Sequence, residues 1–225
     1  SPGSRQMRSI LVANPKGGSG KTTLASNIAV YYALRGRKVA LVDYDPQASS
    51  LDWLAARSDS RPVIAGVDAG SGRGRVPRDT EVAVLDVPAG TRGRQFSDLL
   101  RKAETVVIPV VPSPLDLRAA ARFYEELVKL RSLVAEQVKL VTVANRVREN
   151  SPSRWLLENY LRALKLPDGK SMPFATCLRQ SQLYIRAAEK GLGIFELAPS
   201  TITHELDLWQ PLLRFLNSKR SRPSA

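Results

Sequence analysis

The sequence predicts an α/β fold built on a mostly parallel β-sheet, with helices covering both of its faces. Three features lead there. Short apolar runs rich in β-branched residues, such as Ser9–Ala13 and Thr105–Val111, hold almost no polar side chain, the composition of strands buried on both sides. Helical apolar periodicity lies between successive runs. Turns rich in Gly, Pro and Asp follow the runs directly, where the carboxyl ends of parallel strands gather ligands.

In chain order, Ser9–Ala13 (SILVA) reads as a buried strand and Thr22–Arg35 as the helix behind the loop that follows it. Lys38–Val42 is a second strand and Ser49–Ala56 a short helix. Val63–Val67 is a weak strand. Glu81–Leu85 and Thr105–Val111 are strong ones, with a helix over Gln95–Ala103 between them. Leu117, Ala120, Ala121, Tyr124 and Leu127 recur at helical spacing, so Leu117–Leu133 is a helix, opened by Ser113 and Pro114. Val138–Ala144 is a further strand, and Ser153–Leu164, Gln182–Lys190 and Thr201–Leu216 read as helices. No internal repeat or long linker divides the chain. A single domain is therefore expected over 7–218, preceded by a cloning remnant at 1–6 and followed by a flexible basic tail at 219–225. Asp68–Arg78 (DAGSGRGRVPR) is expected to be an exposed Gly/Arg-rich loop.

Composition narrows the function. A chain of 225 residues with 43% hydrophobic content can bury a sizeable core and is far from a disordered composition. One cysteine, Cys177, excludes a disulfide framework within the chain, and one histidine, His204, leaves no His/Cys cluster of metal-ligand spacing. No segment approaches the roughly 20 apolar residues of a spanning helix. The charge points to a partner: 34 Lys and Arg against 21 Asp and Glu leave +13, spread over both halves of the chain. Such an excess fits a polyanion, either nucleic acid or an anionic membrane.

The loop after the first strand, Asn14–Thr23 (NPKGGSGKTT), carries the chemistry. A phosphate-binding loop reads G-x-x-x-x-G-K-[ST]. Gly20, Lys21 and Thr22 supply its end, but Pro15 stands where the leading glycine belongs and Lys16 follows it. Glycines let backbone N–H groups turn toward a phosphate without a Cβ in the way, and the N-terminus of the next helix adds its dipole. Lys21 is expected to bridge the β and γ phosphates, and the Thr22 hydroxyl to hold Mg²⁺. Asp86, at the tip of the strand Glu81–Leu85, is expected to order Mg²⁺ and its waters, and Gly90 to let the backbone approach the γ-phosphate. Asp43 and Asp45 (VDYDPQ) end the neighbouring strand. They either cap the next helix or position the metal and the attacking water; for Asp45 the second reading is preferred.

Lys16-Gly17-Gly18-Ser19-Gly20-Lys21-Thr22-Thr23 resembles the deviant Walker A motif, K-G-G-x-G-K-[ST], of the ParA/MinD family of P-loop ATPases. VALVDYDPQAS looks like the family's switch I, and VLDVPAG like its Walker B and switch II. VVIPVVPSPLDLRAA resembles the segment after the next strand, and RQSQLYIRAAEKGLGIFE a C-terminal stretch of the short, ParF-like partition ATPases. Together these run from Met7 to about Leu216. The resemblance implies a P-loop NTPase-like fold with ATP and Mg²⁺ as ligands. It implies a nucleotide cradle from Gly17, Gly18, Ser19, Gly20, Lys21, Thr22 and Thr23, with Thr22 and Asp86 at the metal. It also implies slow ATP hydrolysis, with Lys16, Lys21 and Asp45 as catalytic residues and Lys16 reaching across a homodimer to the partner's nucleotide. A cation donated in trans offsets the repulsion of two facing triphosphates, as an arginine finger does. Asn145, in VANR, is either an adenine contact or a residue that holds a turn. The region between switch I and Walker B departs from the pattern: it is short and contains the Arg-rich loop.

ParA-like proteins of this kind bind double-stranded DNA without sequence preference as ATP dimers. They release it after hydrolysis stimulated by a small ParB- or ParG-like protein or a cargo adaptor. The resemblance thus implies a cytoplasmic, nucleoid-associated ATPase that positions a plasmid, a chromosome locus or a protein compartment such as a carboxysome. The +13 charge supports this independently, since Lys and Arg on phosphates give sequence-blind affinity. Arg179, Arg186, Lys219 and Arg220 are the candidate DNA contacts. The alternative is a MinD-like ATPase on a membrane surface, using the apolar stripe Leu206, Trp209, Leu213 and Leu216. Packing of that stripe on the sheet is the preferred reading, and a membrane is not the expected partner. Nitrogenase-reductase-like enzymes on the same fold need cluster cysteines that a single Cys177 does not supply.

Overall fold

Strands β1 (Arg8–Val12), β2 (Val39–Asp43), β4 (Val82–Asp86) and β5 (Thr105–Val110) are buried at every residue, which is why their sequences lack polar alternation. The computed structural model describes residues 6–13, 16–17, 20–133 and 138–223. With β3 (Ile64–Asp68), β6 (Lys139–Val147) and β7 (Phe174–Arg179), these strands form one parallel sheet in the order β3-β2-β4-β1-β5-β6-β7. β1 lies at its centre, with β4 and β5 on either side.

Helices cover both faces. One core joins α1 (Lys21–Leu34), α2 (Ser49–Ala55) and α7 (Thr203–Leu216) to the sheet through Ile28, Trp53, Trp209 and Leu212. The other seats α3 (Gly93–Lys102), α4 (Pro114–Leu133) and α5 (Pro152–Ala163) through Phe96, Leu127 and Leu157. α6 (Gln182–Glu189) follows β7, and its N-terminus is capped by the Ser181 hydroxyl, which accepts from the Leu183 N–H at 3.2 Å. The α/β fold with helices on both faces is as the sequence predicts.

Three elements differ from the sequence-based expectation. β7 has no counterpart there: FATCLR is an edge strand, only partly covered, and shows no continuous apolar run. β6 runs on to Val147, past the expected end at Ala144. Between Ala144 and Val147 two residues, Asn145 and Arg146, oppose one on β7, with Arg146 at φ 53°. That is a β-bulge, a device that re-aims side chains near sites. Residues 219–221, expected within a flexible tail, instead form a 3₁₀ turn with Ser221 fully buried. Arg8 donates to the Ser221 hydroxyl at 3.0 Å and to the Leu216 carbonyl at 3.2 Å, and the Thr105 hydroxyl donates to the Ser221 carbonyl.

The stripe on α7 packs inward. Trp209 and Leu216 are fully buried and Leu213 nearly so, against the same core as α1. The membrane-surface alternative therefore loses the apolar face it relied on. Among the described residues no helix is long and apolar enough to cross a membrane.

Candidate nucleotide site

The parallel register sets Val12, Asp43 and Asp86 level with one another at the carboxyl ends of β1, β2 and β4. The phosphate loop therefore leaves the sheet beside two buried aspartates. Gly18 and Ser19 of that loop, with Asn14 and Pro15, lie outside the described residues. Gly17 is exposed, and a Cβ there would meet nothing within 4 Å. Gly20 caps α1 at φ 85°, a left-handed conformation that disfavours a side chain. A Cβ on Gly20 would come within 2.3 Å of the Asn145 side-chain nitrogen. The bulge in β6 thus delivers Asn145 to the start of α1.

Asp86 is the hub. It is fully buried and ion-paired with Lys21, itself 7% exposed. Its second oxygen accepts from the Thr22 hydroxyl at 3.1 Å and from the Ser50 hydroxyl. The structure thus brings Lys21, Thr22 and Asp86 into direct contact with one another. Ser50 is not among the residues the sequence points to; as one of two serines opening a helix it offers only a helix-start signal.

Asp43 takes the capping role. Its carboxylate accepts the N–H groups of Asp45 at 2.9 Å, Ser50 at 3.0 Å and Leu51 at 3.4 Å, so it holds the turn and the first residues of α2. Burial pushes its carboxyl group above the ordinary aspartate range, and the N–H groups it accepts from oppose that shift. Asp45 is half-buried, and its carboxylate accepts the Gln47 N–H at 2.9 Å, an Asx-turn that fixes its direction.

Lys16 is about half exposed, and its ammonium lies 3.8 Å from the Asp116 carboxylate in the first turn of α4. Asp116 is held in turn by Ser113, whose hydroxyl accepts the Asp116 N–H at 3.1 Å and donates to its carboxylate. The Ser113-Pro-Leu-Asp116 spacing is a capping signature legible in the sequence, but its contact to Lys16 is not.

Thr23 and Asn145 also line a pocket of about 500 Å³ beside the loop, closed by Gln180, Ser181, Tyr184 and Ile185. Burial pushes the Tyr184 hydroxyl up to about 12, so it stays protonated; it accepts from the Trp209 indole N–H at 2.8 Å.

The candidate DNA contacts do not converge. Arg179, at the carboxyl end of β7, is ion-paired with Glu149 and Glu205, and Arg186 is exposed on α6 nearby. Lys219 and Arg220 sit at the opposite, amino end of the sheet, next to the first residues of β1 and β5. Within one protomer these are two separate groups.

A buried lysine–aspartate pair beside a glycine-led helix start, on the central strand of a parallel sheet, defines a P-loop nucleotide-binding protein. The CobQ/CobB/MinD/ParA nucleotide binding domain matches residues 10–194, and the chain belongs to that family. It is 30% identical over 204 residues to the maintenance of carboxysome distribution protein A of Gloeobacter kilaueensis, covering 87% of each chain. Its identity to the protein of that name from Halothiobacillus neapolitanus is 29% over 194 residues, 84% of this chain and 87% of the relative. Among solved structures, the ATP complex of a Cyanothece McdA variant superposes with a TM-score of 0.67 at 17% identity, covering 93% of this chain and 97% of that one. Cobyrinic acid a,c-diamide synthase of Mycobacterium smegmatis with ATP analogue and magnesium gives 0.68 at 21%, covering 97% and 99%. At these identities the superpositions show the shared fold.

Proposed function

We propose that the protein is a ParA-type ATPase that pairs as a homodimer on ATP, holds duplex DNA without sequence preference, and positions a cargo. A small partner protein on that cargo stimulates hydrolysis and release. The observation that carries this reading is the division of labour between two lysines of one loop: Lys21 is buried on Asp86, while Lys16 stands half exposed, its ammonium 3.8 Å from the Asp116 carboxylate. A cation kept half exposed suits a second nucleotide, not its own. The relatives named for carboxysome distribution make a protein compartment the favoured cargo. The protein's own location is the bacterial cytoplasm, on the nucleoid.

The residues fit a nucleotide and its metal. Gly17 and the left-handed Gly20 leave room for backbone N–H groups to face phosphate, and Thr22, Ser50 and Asp86 form an all-oxygen set that suits Mg²⁺. Mg²⁺ held there would offset the charge of the phosphate oxygens. Lys21 neutralises Asp86 in the free protein and turns to phosphate when it is bound. Asn145 lines the side pocket where an adenine base would sit, and Thr23 supports the same wall. Asp45, aimed by its Asx-turn, orients the attacking water.

The test is cosedimentation with random-sequence duplex DNA. Wild-type protein is expected to bind with ATP and not with ADP, and Asp45→Ala to bind ATP, stall turnover and stay on DNA. Equal DNA affinity with both nucleotides would sink the reading.

A further inference from the structure

The Gly/Arg loop after β3 is a built element. Val76 and Ala69 pack against the same apolar cluster as Tyr44, so the loop is pinned at two points. Between the pins it folds back on Asp68: the Ser71 N–H donates to the Asp68 carboxylate at 3.1 Å and the Gly74 N–H to the Asp68 carbonyl at 3.0 Å. The Gly74 backbone lies so close that a Cβ there would meet the Asp68 carbonyl oxygen at 2.6 Å.

What the loop presents is charge. Arg73, Arg75 and Arg78 are all exposed. The acids around them are otherwise engaged: Asp68 accepts from Ser71, Asp79 pairs with Lys38 at 2.9 Å and Glu81 with Arg37 at 3.4 Å. None of the ion pairs found among the described residues uses Arg73, Arg75 or Arg78.

The loop also rests on the Asp45 turn. The N–H groups of Ala69 and Gly70 donate to the Asp43 carbonyl at 2.9 and 3.0 Å, while the Asp43 carboxylate holds the Asp45 N–H. A Cβ on Gly70 would meet the backbone of Tyr44 and Asp45 at 3.3 Å. One buried residue, Asp43, thus carries the arginine loop on its main chain and the Asp45 turn on its side chain.

We propose that Arg73, Arg75 and Arg78 form a phosphate-backbone contact site for duplex DNA, mounted on the Asp45 turn. The proposal deepens the DNA-binding reading above and rests on it. Guanidinium groups on a glycine-spaced loop match a row of phosphates and read no base. The position on Asp43 makes the site sensitive to the conformation of the turn that bears Asp45.

The experiment measures affinity for a random-sequence duplex against salt, with ATP. Each phosphate contact contributes about 0.9 to the slope of log K against log salt, so replacing Arg73, Arg75 and Arg78 by Gln together should flatten it by about 2–3. A comparison variant removes the same charge elsewhere, with Arg101, Lys102 and Lys190 changed to Gln. It should leave the slope within about one unit of wild type. Circular dichroism melts establish that both variants fold. An unchanged slope in the loop variant, or equal flattening in both, overturns this site while leaving the DNA-binding reading standing. If wild type with ATP binds no DNA, both fall.

Discussion

Lys21 and Asp86 form an ion pair shut away from solvent, 7% and 0% exposed. Removing one member of such a pair costs about 3–5 kcal/mol, because the survivor is left charged in a poorly solvated place. The two removals are unequal here. Lys21→Met leaves the carboxylate with the Thr22 and Ser50 hydroxyl donors, so its cost falls near about 3 kcal/mol. Asp86→Leu strands an ammonium and two hydroxyls at once, which places it near about 5 kcal/mol. In a chain of this length each kcal/mol shifts the melting point by about 2–4 °C, giving losses of about 6–12 °C and about 10–20 °C. The double variant leaves neither charge behind, so the pair should show a coupling energy of about 2–3 kcal/mol. Urea unfolding of the four nucleotide-free proteins, followed by circular dichroism, closes the cycle. Additive costs, or Lys21→Met less stable than Asp86→Leu, would refute the reasoning.

Gly20→Ala should cut adenine-nucleotide affinity at least tenfold by calorimetry and cost about 1–2 kcal/mol of stability, since it combines a left-handed φ of 85° with a Cβ against Asn145. Gly17→Ala, with no neighbour within 4 Å, should leave the melting point unchanged; equal stability losses in the two would undo the argument. Carbon-detected NMR titration should place Asp43 above the ordinary aspartate range and Glu149 below the ordinary glutamate range. Glu149 is lowered first by the His204 hydrogen bond and then by Arg179. The signs oppose: the Asp43 contribution to stability is fully present below its unfolded pKa and is lost as pH rises through the folded one. The Glu149 contribution is present above its unfolded pKa and is lost as pH falls through the folded one. The reverse order of the two titrations would show that burial does not govern Asp43.

Much of this molecule is legible in its residues because burial on both faces writes an unbroken apolar run. β1, β2, β4 and β5 stand out for that reason, and the aspartates at the ends of β2 and β4 with them. β7 escapes for the converse reason: an edge strand only partly covered needs no continuous apolar run, and one of its two buried residues is Thr176. The Lys21–Asp86–Thr22 group follows from strand order, whereas Ser50 reaches Asp86 from 36 residues away through the turn that Asp43 caps. No local pattern announces such a contact. The same holds for Lys16 and Asp116, which come from elements 100 residues apart. The docked turn at Lys219–Ser221 looks like any charged terminus, because its anchors, Arg8 and Thr105, sit at the other end of the chain and in its middle.

That last turn has a practical bearing on how the protein is handled. The strand bearing the phosphate loop begins at Arg8, a residue only 5% exposed whose two terminal guanidinium nitrogens donate to Glu104, Leu216 and Ser221. Trimming the chain upstream of Ser221, or crowding it with a fused tag, takes a partner from a cation that has no water to fall back on. The disturbance enters at the foot of the central strand, directly beneath the loop whose behaviour a shortened protein would be made to study.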